Sequence, residues 1–493
     1  MKKRAWALAL LCLCLALPAP FARADRAIYA ALYMPIFFES KIPDDIGLVS
    51  DAVSRLTEEK IGASVQLVPL LYLFGGSDSS NADLVRVSEL ELLEKQGVMF
   101  DVLPDDMPGA NLIALDGLLG QYGAEAAAQI GETRLGYARV DGTLWYLPSI
   151  SDYVASFGVA MRKDIVDKYG IDTSAIHSFA DFDDIFTLVS ANEPGLRMIC
   201  PNQTRVSLLG RMKFQDAFPD CVADLSQENH SEVINYYATD AYRETVALFR
   251  EWYLAGYLPE QMALQNTRAA QFVKAGELFA YTCACKPGIE YETSVDSGCE
   301  MVVVPLMDPV ITKRSLESTR WGISAQCKNS GKAMQFLNLL YTDGELINLL
   351  LYGIEGTHYV LCEDGTIDYP EGITAESVGY RNTLPWTLPN QLLSYVWKGN
   401  DPDVWVETDE FNRIAAVSEA IDFTFDPSDL QTENAALNAI VSRYAYGLET
   451  GQLDPAVYLG QMLSEMTAMG ADSVVTEVQR QYDEYLERKD ESP

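Results

Sequence analysis

Residues 318–360 read STRWGISAQCKNSGKAMQFLNLLYTDGELINLLLYGIEGTHYV. Trp321, Ile323 and Ala325 alternate with other residues as in a short strand, and the polar run Lys328, Asn329, Ser330 and Gly331 turns the chain into a helix. Ser330 is the expected N-cap. Ala333, Met334, Phe336, Leu337 and Leu340 then recur at three- and four-residue spacing, which makes one face apolar and leaves Lys332, Gln335 and Asn338 to face outward. Asp343 starts a second helix over Glu345 to Leu351. Gly353, free to take positive φ, ends it and turns the chain toward His358, expected as a structural turn residue, and Tyr359.

This succession resembles the extracellular solute-binding proteins of ABC importers, in the sugar-type branch and in its long form with an extra C-terminal domain. Four pieces carry the resemblance here: the Trp-Gly-Ile-Ser strand, the Lys-Asn-x-x-Lys-Ala-x-x-Phe-Leu-Asn helix, the Thr-Asp break and the Tyr-Gly-Ile-Glu-Gly turn. Other segments match it as well. Val140-Asp141-Gly142 with Tyr146-Leu147-Pro148 is similar to the family strand that leads into the crossing between lobes. Phe157 to Ile171 follows as a strand with a helix opened by Arg162-Lys163-Asp164, and Trp252-Tyr253-Leu254-Ala255-Gly256-Tyr257 closes an amphipathic helix begun near Tyr242. Asn390 to Tyr395 and Gly399 to Asp403 resemble the extra domain of the long subgroup.

The resemblance implies an α/β chain with a two-lobe, type II periplasmic-binding-protein-like fold and a mostly helical C-terminal extension. The expected division is a signal peptide at 1–24, a first lobe at 25–154 completed by about 317–363, a second lobe at 155–316, and a C-terminal domain at 364–493 packed on the lobes. Independently of the family, Ala27 to Phe38, a helix over Asp45 to Lys60 and Ala63 to Leu71 form a βαβ unit, which demands a parallel strand pair. Val98 to Leu103 is a third expected strand.

The leader is legible on its own. Lys2, Lys3 and Arg4 precede an apolar run from Ala5 to Leu17, and Ala22-Arg23-Ala24 offers a small-x-small cleavage site, so the chain is expected to be exported to the periplasm, cell surface or medium. Leu11 and Leu13 precede Cys12 and Cys14 where a lipid-anchor cleavage site wants a small residue, which argues against an anchor. The 493 residues carry a formal charge of −35, and the leader holds no acidic residue, so its loss makes the chain more negative still. Such a surface repels nucleic acid and anionic lipid.

Seven cysteines follow the leader. The short-loop pairings are Cys200 with Cys221, and Cys299 with Cys283 or Cys285. No nucleophile elbow, zinc-protease helix motif or phosphate-binding glycine loop is present in the sequence, and three histidines make a catalytic triad an unattractive reading. No cofactor or metal is expected. Acidic pairs such as Asp183-Asp184 are uninformative among 71 acidic residues.

The family resemblance therefore implies a receptor that captures a small solute, most naturally an oligosaccharide, and delivers it as a monomer to the transmembrane permease subunits of an importer. Sugar rings offer C–H faces to aromatics and hydroxyls to carboxylates and amides. On position, the candidate ligand contacts are Tyr33, Asp152, Tyr153, Tyr281, Trp321, Trp386 and Asn390, with Tyr153 and Trp321 favoured because both flank lobe crossings. The alternatives are a sensory or adhesive ectodomain of the same fold, or a thiaminase-like enzyme with Cys283 as its nucleophile.

Overall fold

The computed structural model describes residues 30–38, 41–71, 100–104, 111–140, 142–154, 156–200, 222–225, 229, 231–258, 269–317 and 319–490. The leader, Asp141 and Cys221 lie outside them. So do residues 98–99 of the third expected strand; within the described residues the strand runs Val102–Pro104.

The first lobe begins as the βαβ pattern requires. Strands Ala30–Phe38 and Ala63–Leu71 pair in parallel, Ala30 opposite Ala63 and Phe38 opposite Leu71, with helix Ile46–Ile61 as the crossover. Gly62 ends that helix at φ 65°, a left-handed turn that costs glycine little. A three-stranded antiparallel sheet sits beside the pair. Its centre is Arg320–Ile323, flanked by Val102–Pro104 and Tyr146–Pro148. Trp321, fully buried, anchors this centre and donates from Nε1 to the Thr387 carbonyl at 3.1 Å.

The stretch around Trp321 folds largely as its spacing predicts, into the Arg320–Ile323 strand and the helices Ser330–Thr342 and Gly344–Tyr352. Two details differ. The N-cap is Asn329 rather than Ser330, because the Asn329 side-chain oxygen reaches the Lys332 amide one turn in. The polar face is also not simply solvated. Lys332 Nζ donates to the Ile61 carbonyl at 2.5 Å, at the negative end of the first helix, and Asn338 Oδ1 accepts from the Ala126 amide at 2.9 Å. Both side chains dock neighbouring helix ends. Asp343 caps the second helix through the Leu346 amide, and Gly353 leaves it at φ 78°. His358 is the structural turn residue expected: its Nδ1 accepts from the Ile354 amide at 2.9 Å, and its Nε2 lies 3.2 Å from Asp45.

The second lobe is built on a four-stranded mixed sheet in the order Met301–Pro305, Phe157–Arg162, Leu278–Ala284, Arg197–Cys200. Only the last pairing is parallel. Its core is aromatic: Phe182, Phe186, Phe249 and Trp252 meet at ring distances of 4.9 to 5.3 Å. Trp252 comes from helix Asp240–Leu254, capped by Thr239 and closed at Gly256 with φ 76°. Asp183 accepts the Trp252 indole N–H at 2.5 Å, which gives that carboxylate a structural task.

Helices Gln431–Glu449, Pro455–Ala468 and Ala471–Asp490 form the C-terminal bundle. Leu437, Ile440, Met462, Met466, Val474 and Val478 fill it, and the same cluster takes in Tyr237, Tyr242 and Val246 of the second lobe. Burying this many side chains, at about 1.5–3 kcal/mol each, fixes the bundle to that lobe. No helix among the described residues is long and apolar enough to cross a membrane.

Candidate functional site

Among the described residues, three chain segments pass between the lobes. Pro148 ends the edge strand of the first lobe and residues 149–156 run to the second sheet, while residues 306–319 make the return. The two passes lie side by side. Ser149 N donates to Thr319 O at 3.1 Å, Ser156 Oγ to Met307 O at 2.8 Å, and Leu306 N to Phe157 O at 2.8 Å. The C-terminal region supplies the third pass: Ala416–Val417 pairs in parallel with Val310–Ile311, and Asn412 donates to the Ser151 carbonyl at 2.8 Å. Few residues carry the connection, the usual construction of a hinge.

Asp152 and Tyr153 stand on the first pass, where the sequence places them. Asp152 holds Lys286 Nζ at 2.5 Å, and Glu292 takes the same ammonium at 3.0 Å. Burial works against the charge of Lys286, but the two carboxylates more than compensate and hold its pKa above the ordinary value. The backbone repeats this link one residue earlier, where Cys285 N donates to Ser156 O. Tyr153 lies under the Arg134 guanidinium at 4.2 Å, and Arg134 donates to the Ser149 carbonyl.

Other candidates are placed differently. Trp321, Tyr281 and Asn390 are at most 3 % exposed and commit their polar atoms to the protein. The Tyr281 hydroxyl meets Ser297 at 3.3 Å, and burial pushes its pKa up to about 12. Asn390 donates to Tyr341 O and accepts from the Leu392 amide. These three are core residues, because a flank of a lobe crossing is also where sheet centres and caps lie. Trp386 is half-buried in the turn Pro385–Thr387, and Tyr33 stands in the first strand opposite Gln66.

The structure brings together a set of rings that sequence reasoning did not select. Tyr369 and Trp397 overlap at 4.5 Å with a 33° tilt, Tyr352 meets Trp397 edge-on at 5.5 Å, and the Arg381 guanidinium lies 5.9 Å from the Trp397 ring. From the second lobe, Tyr291 donates its hydroxyl to the Lys398 carbonyl at 3.2 Å. Arg381 acts electrostatically on both Tyr291 and Tyr369, each with its hydroxyl pKa raised first by burial. Tyr291, Tyr369 and Trp397 are half-buried, so their rings are neither core nor free surface. Gly288, at φ 77°, starts the Tyr291 helix. A Cβ there would stand 2.8 Å from Val404, so the second lobe meets the 398–404 segment with no room for a methyl. The only sequence signal was the alternation of aromatics and turn residues after Asp364.

The thiol chemistry is quiet. Cys283, Cys285 and Cys299 are not bridged, against the short-loop expectation. Cys221 is outside the described residues, so its pairing with Cys200 stays an expectation. A hydrogen bond with Cys285 and burial drive the Cys283 pKa far above the thiol range. A nucleophile needs a thiolate, so Cys283 is unsuited to the thiaminase-like role.

Residues 419–487 match a family described as a domain of unknown function, DUF3502. Over 464 residues the chain is 23% identical to a "Carbohydrate ABC transporter substrate-binding protein" of Streptococcus pneumoniae serotype 4, covering 91% of this chain and 89% of that one. The crystal structure of the N-glycan transport solute binding protein NgtS from Streptococcus pneumoniae superposes with a TM-score of 0.79 at 19% identity, over 93% of this chain and all of that one. The fold is that of the two-lobe solute-binding proteins. NgtS in complex with Man5GlcNAc gives 0.68 at 19% identity over 93% of this chain and 99% of its own. An "HMO binding ABC-transporter associated Solute Binding Protein" from Bifidobacterium longum infantis gives 0.61 at 12% identity, over 93% of this chain and 99% of that one.

Proposed function

We propose that this chain is the substrate-binding component of an ABC importer, exported from the cell, which captures an oligosaccharide between its lobes and delivers it to membrane permease subunits. The observation that carries the reading is the full-length likeness to a carbohydrate ABC transporter substrate-binding protein, lobes and C-terminal region together. The geometry supports it. Three neighbouring passes allow the lobes to close about a hinge, and Tyr291 and the Tyr369–Trp397 pair bring half-buried rings from both sides, the surface that sugar C–H faces need. Arg381 and the carboxylates around Lys286 supply charged groups for hydroxyls. NgtS, named for N-glycan transport, suggests N-glycan fragments as the first ligands to try.

Calorimetric titration of the chain from Asp25 onward with N-glycan, milk-type and malto-oligosaccharides tests the proposal. One series should bind saturably, and Trp397→Ala should weaken it by about tenfold or more without unfolding the protein. Absence of saturable binding across all three series, with a folded protein, overturns it.

A further inference from the structure

The rings at the edge of the first lobe surround a cation that stacking alone does not account for. Arg381 stands between two pinned neighbours. The Tyr380 hydroxyl donates to the Leu350 carbonyl at 2.7 Å and the Asn382 amide to the Leu351 carbonyl at 2.9 Å, and both residues are buried. The backbone that carries Arg381 is therefore fixed, while Arg381 itself is half-buried. Its guanidinium lies 5.9 Å from the Trp397 ring, at the outer limit of a cation–π contact, and donates to the Tyr369 hydroxyl.

A guanidinium has donors to spare after one such bond. Arg381 forms no ion pair among the described residues, and none of its N–H groups is both buried and unpaired, so the spare donors face solvent. The carboxylates nearby are engaged elsewhere. Asp368 takes Lys398 Nζ at 2.9 Å. Glu376 stands exposed, accepts from the Thr374 hydroxyl at 2.8 Å, and acts on Arg381 only through space. In a chain with 71 acidic and 36 basic residues, a half-buried arginine without a carboxylate runs against composition. Lys286, by contrast, holds two.

We infer that the oligosaccharide taken at these rings carries a carboxylate, and that Arg381 is the residue that reads it. This rests on the sugar-binding reading proposed above, and narrows its ligand to a sugar acid. A planar guanidinium fork meets a carboxylate with two parallel hydrogen bonds, a match that a lone sugar hydroxyl cannot offer. The side chains divide the work. Trp397 and Tyr369 present faces to ring C–H groups, Tyr291 approaches from the second lobe, and Arg381 beside them supplies the charge. With a formal charge of −35 the chain as a whole repels an anion, so a preference for the acid has to come from this contact.

The test is calorimetric titration of the chain from Asp25 onward, at fixed ionic strength, with trigalacturonate and with sialyllactose. Each is compared with its own methyl ester, which keeps the skeleton and removes the charge, and neutral N-glycan, milk-type and malto-oligosaccharides are run beside them. One acid should bind at least about tenfold tighter than its ester, the worth of a charge-assisted pair. Arg381→Gln should bring that acid down to the level of its ester. Glu376→Gln removes the carboxylate that acts through space and should tighten the acid by about twofold, a gain that a folding defect cannot imitate. Saturable binding of neutral sugars with no difference between acid and ester overturns the inference and leaves the importer reading standing. An acid preference that survives Arg381→Gln overturns it as well, and no saturable binding of any of these sugars to the folded protein overturns both.

Discussion

Trp321 and Trp397 are the same side chain put to opposite uses. Trp321 sits at the centre of a three-stranded sheet, fully buried, with its indole N–H satisfied by Thr387. Trp397 lies at the edge of the first lobe, half-buried in a ladder of tyrosines with a guanidinium nearby. The contrast separates a residue that makes the lobe from one the lobe presents. Burial alone does not decide it; the decisive fact is whether the neighbours on every side belong to the same lobe.

The comparison breaks most visibly in stability. Trp321→Ala should cost about 3–5 kcal/mol in urea unfolding, since it opens a cavity and orphans the Thr387 carbonyl. A loss under about 1 kcal/mol would make Trp321 a surface residue and reverse its assignment. Next comes Lys286→Met, which leaves Asp152 and Glu292 without their shared cation. Both partners keep some water, so the cost should be about 2 kcal/mol, below that of breaking a fully buried pair. The sign in pH is fixed: Lys286 has its pKa raised above 10.5, so its contribution is complete below that value and is lost as pH climbs through the folded pKa. Unfolding curves of the parent and Lys286→Met should therefore differ at pH 7 and converge only in strong alkali.

Trp397→Ala should cost about 1 kcal/mol or less in the same unfolding assay while reducing oligosaccharide affinity, the inverse of Trp321→Ala. Equal losses in both properties would erase the distinction. The smallest effect sharpens the scale. Glu477, held by Arg480 on the exposed face of the last helix, has its pKa lowered to about 2 from 4.5. Its stabilisation is present above pH 4.5 and is lost as pH falls toward 2. Because Arg480 stands exposed and Glu477 is only half-buried, solvent screens the pair, and Glu477→Gln should change stability at pH 7 by less than about 1 kcal/mol, as read from paired denaturant curves.

Elements held together by near neighbours in sequence were legible before the structure. Spacing located the Trp321 strand, the two helices after it and the Gly353 turn, and the βαβ pattern gave the parallel pair of the first lobe. The cap slipped by one residue because Asn329 and Ser330 are both capable caps, and only the direction of approach chose between them. The outward face of the helix was misjudged for a similar reason: Lys332 and Asn338 look solvated by periodicity, and only the docking of other helix ends shows their partners. The candidate site was less legible. Asp152 and Tyr153 could be placed on the first pass because they follow a recognisable strand end. Tyr291, Tyr369, Arg381 and Trp397 are scattered over more than 100 residues, and only the placement of one lobe against the other gathers them. Trp321 and Tyr281 entered the candidate set on position, and position along the chain does not say whether a strand residue faces a cleft or the interior of its own lobe.

Two strands side by side between two bodies permit bending and also twisting, like a strip of ribbon. The third pass, with Val310–Ile311 joined to Ala416–Val417 and Asn412 holding Ser151, braces that ribbon from the C-terminal side. A brace of this kind resists twist more than bend, so opening about one axis is the expected motion. The segment that leads into the C-terminal helices would then set the axis on which the Tyr291 and Trp397 rings travel.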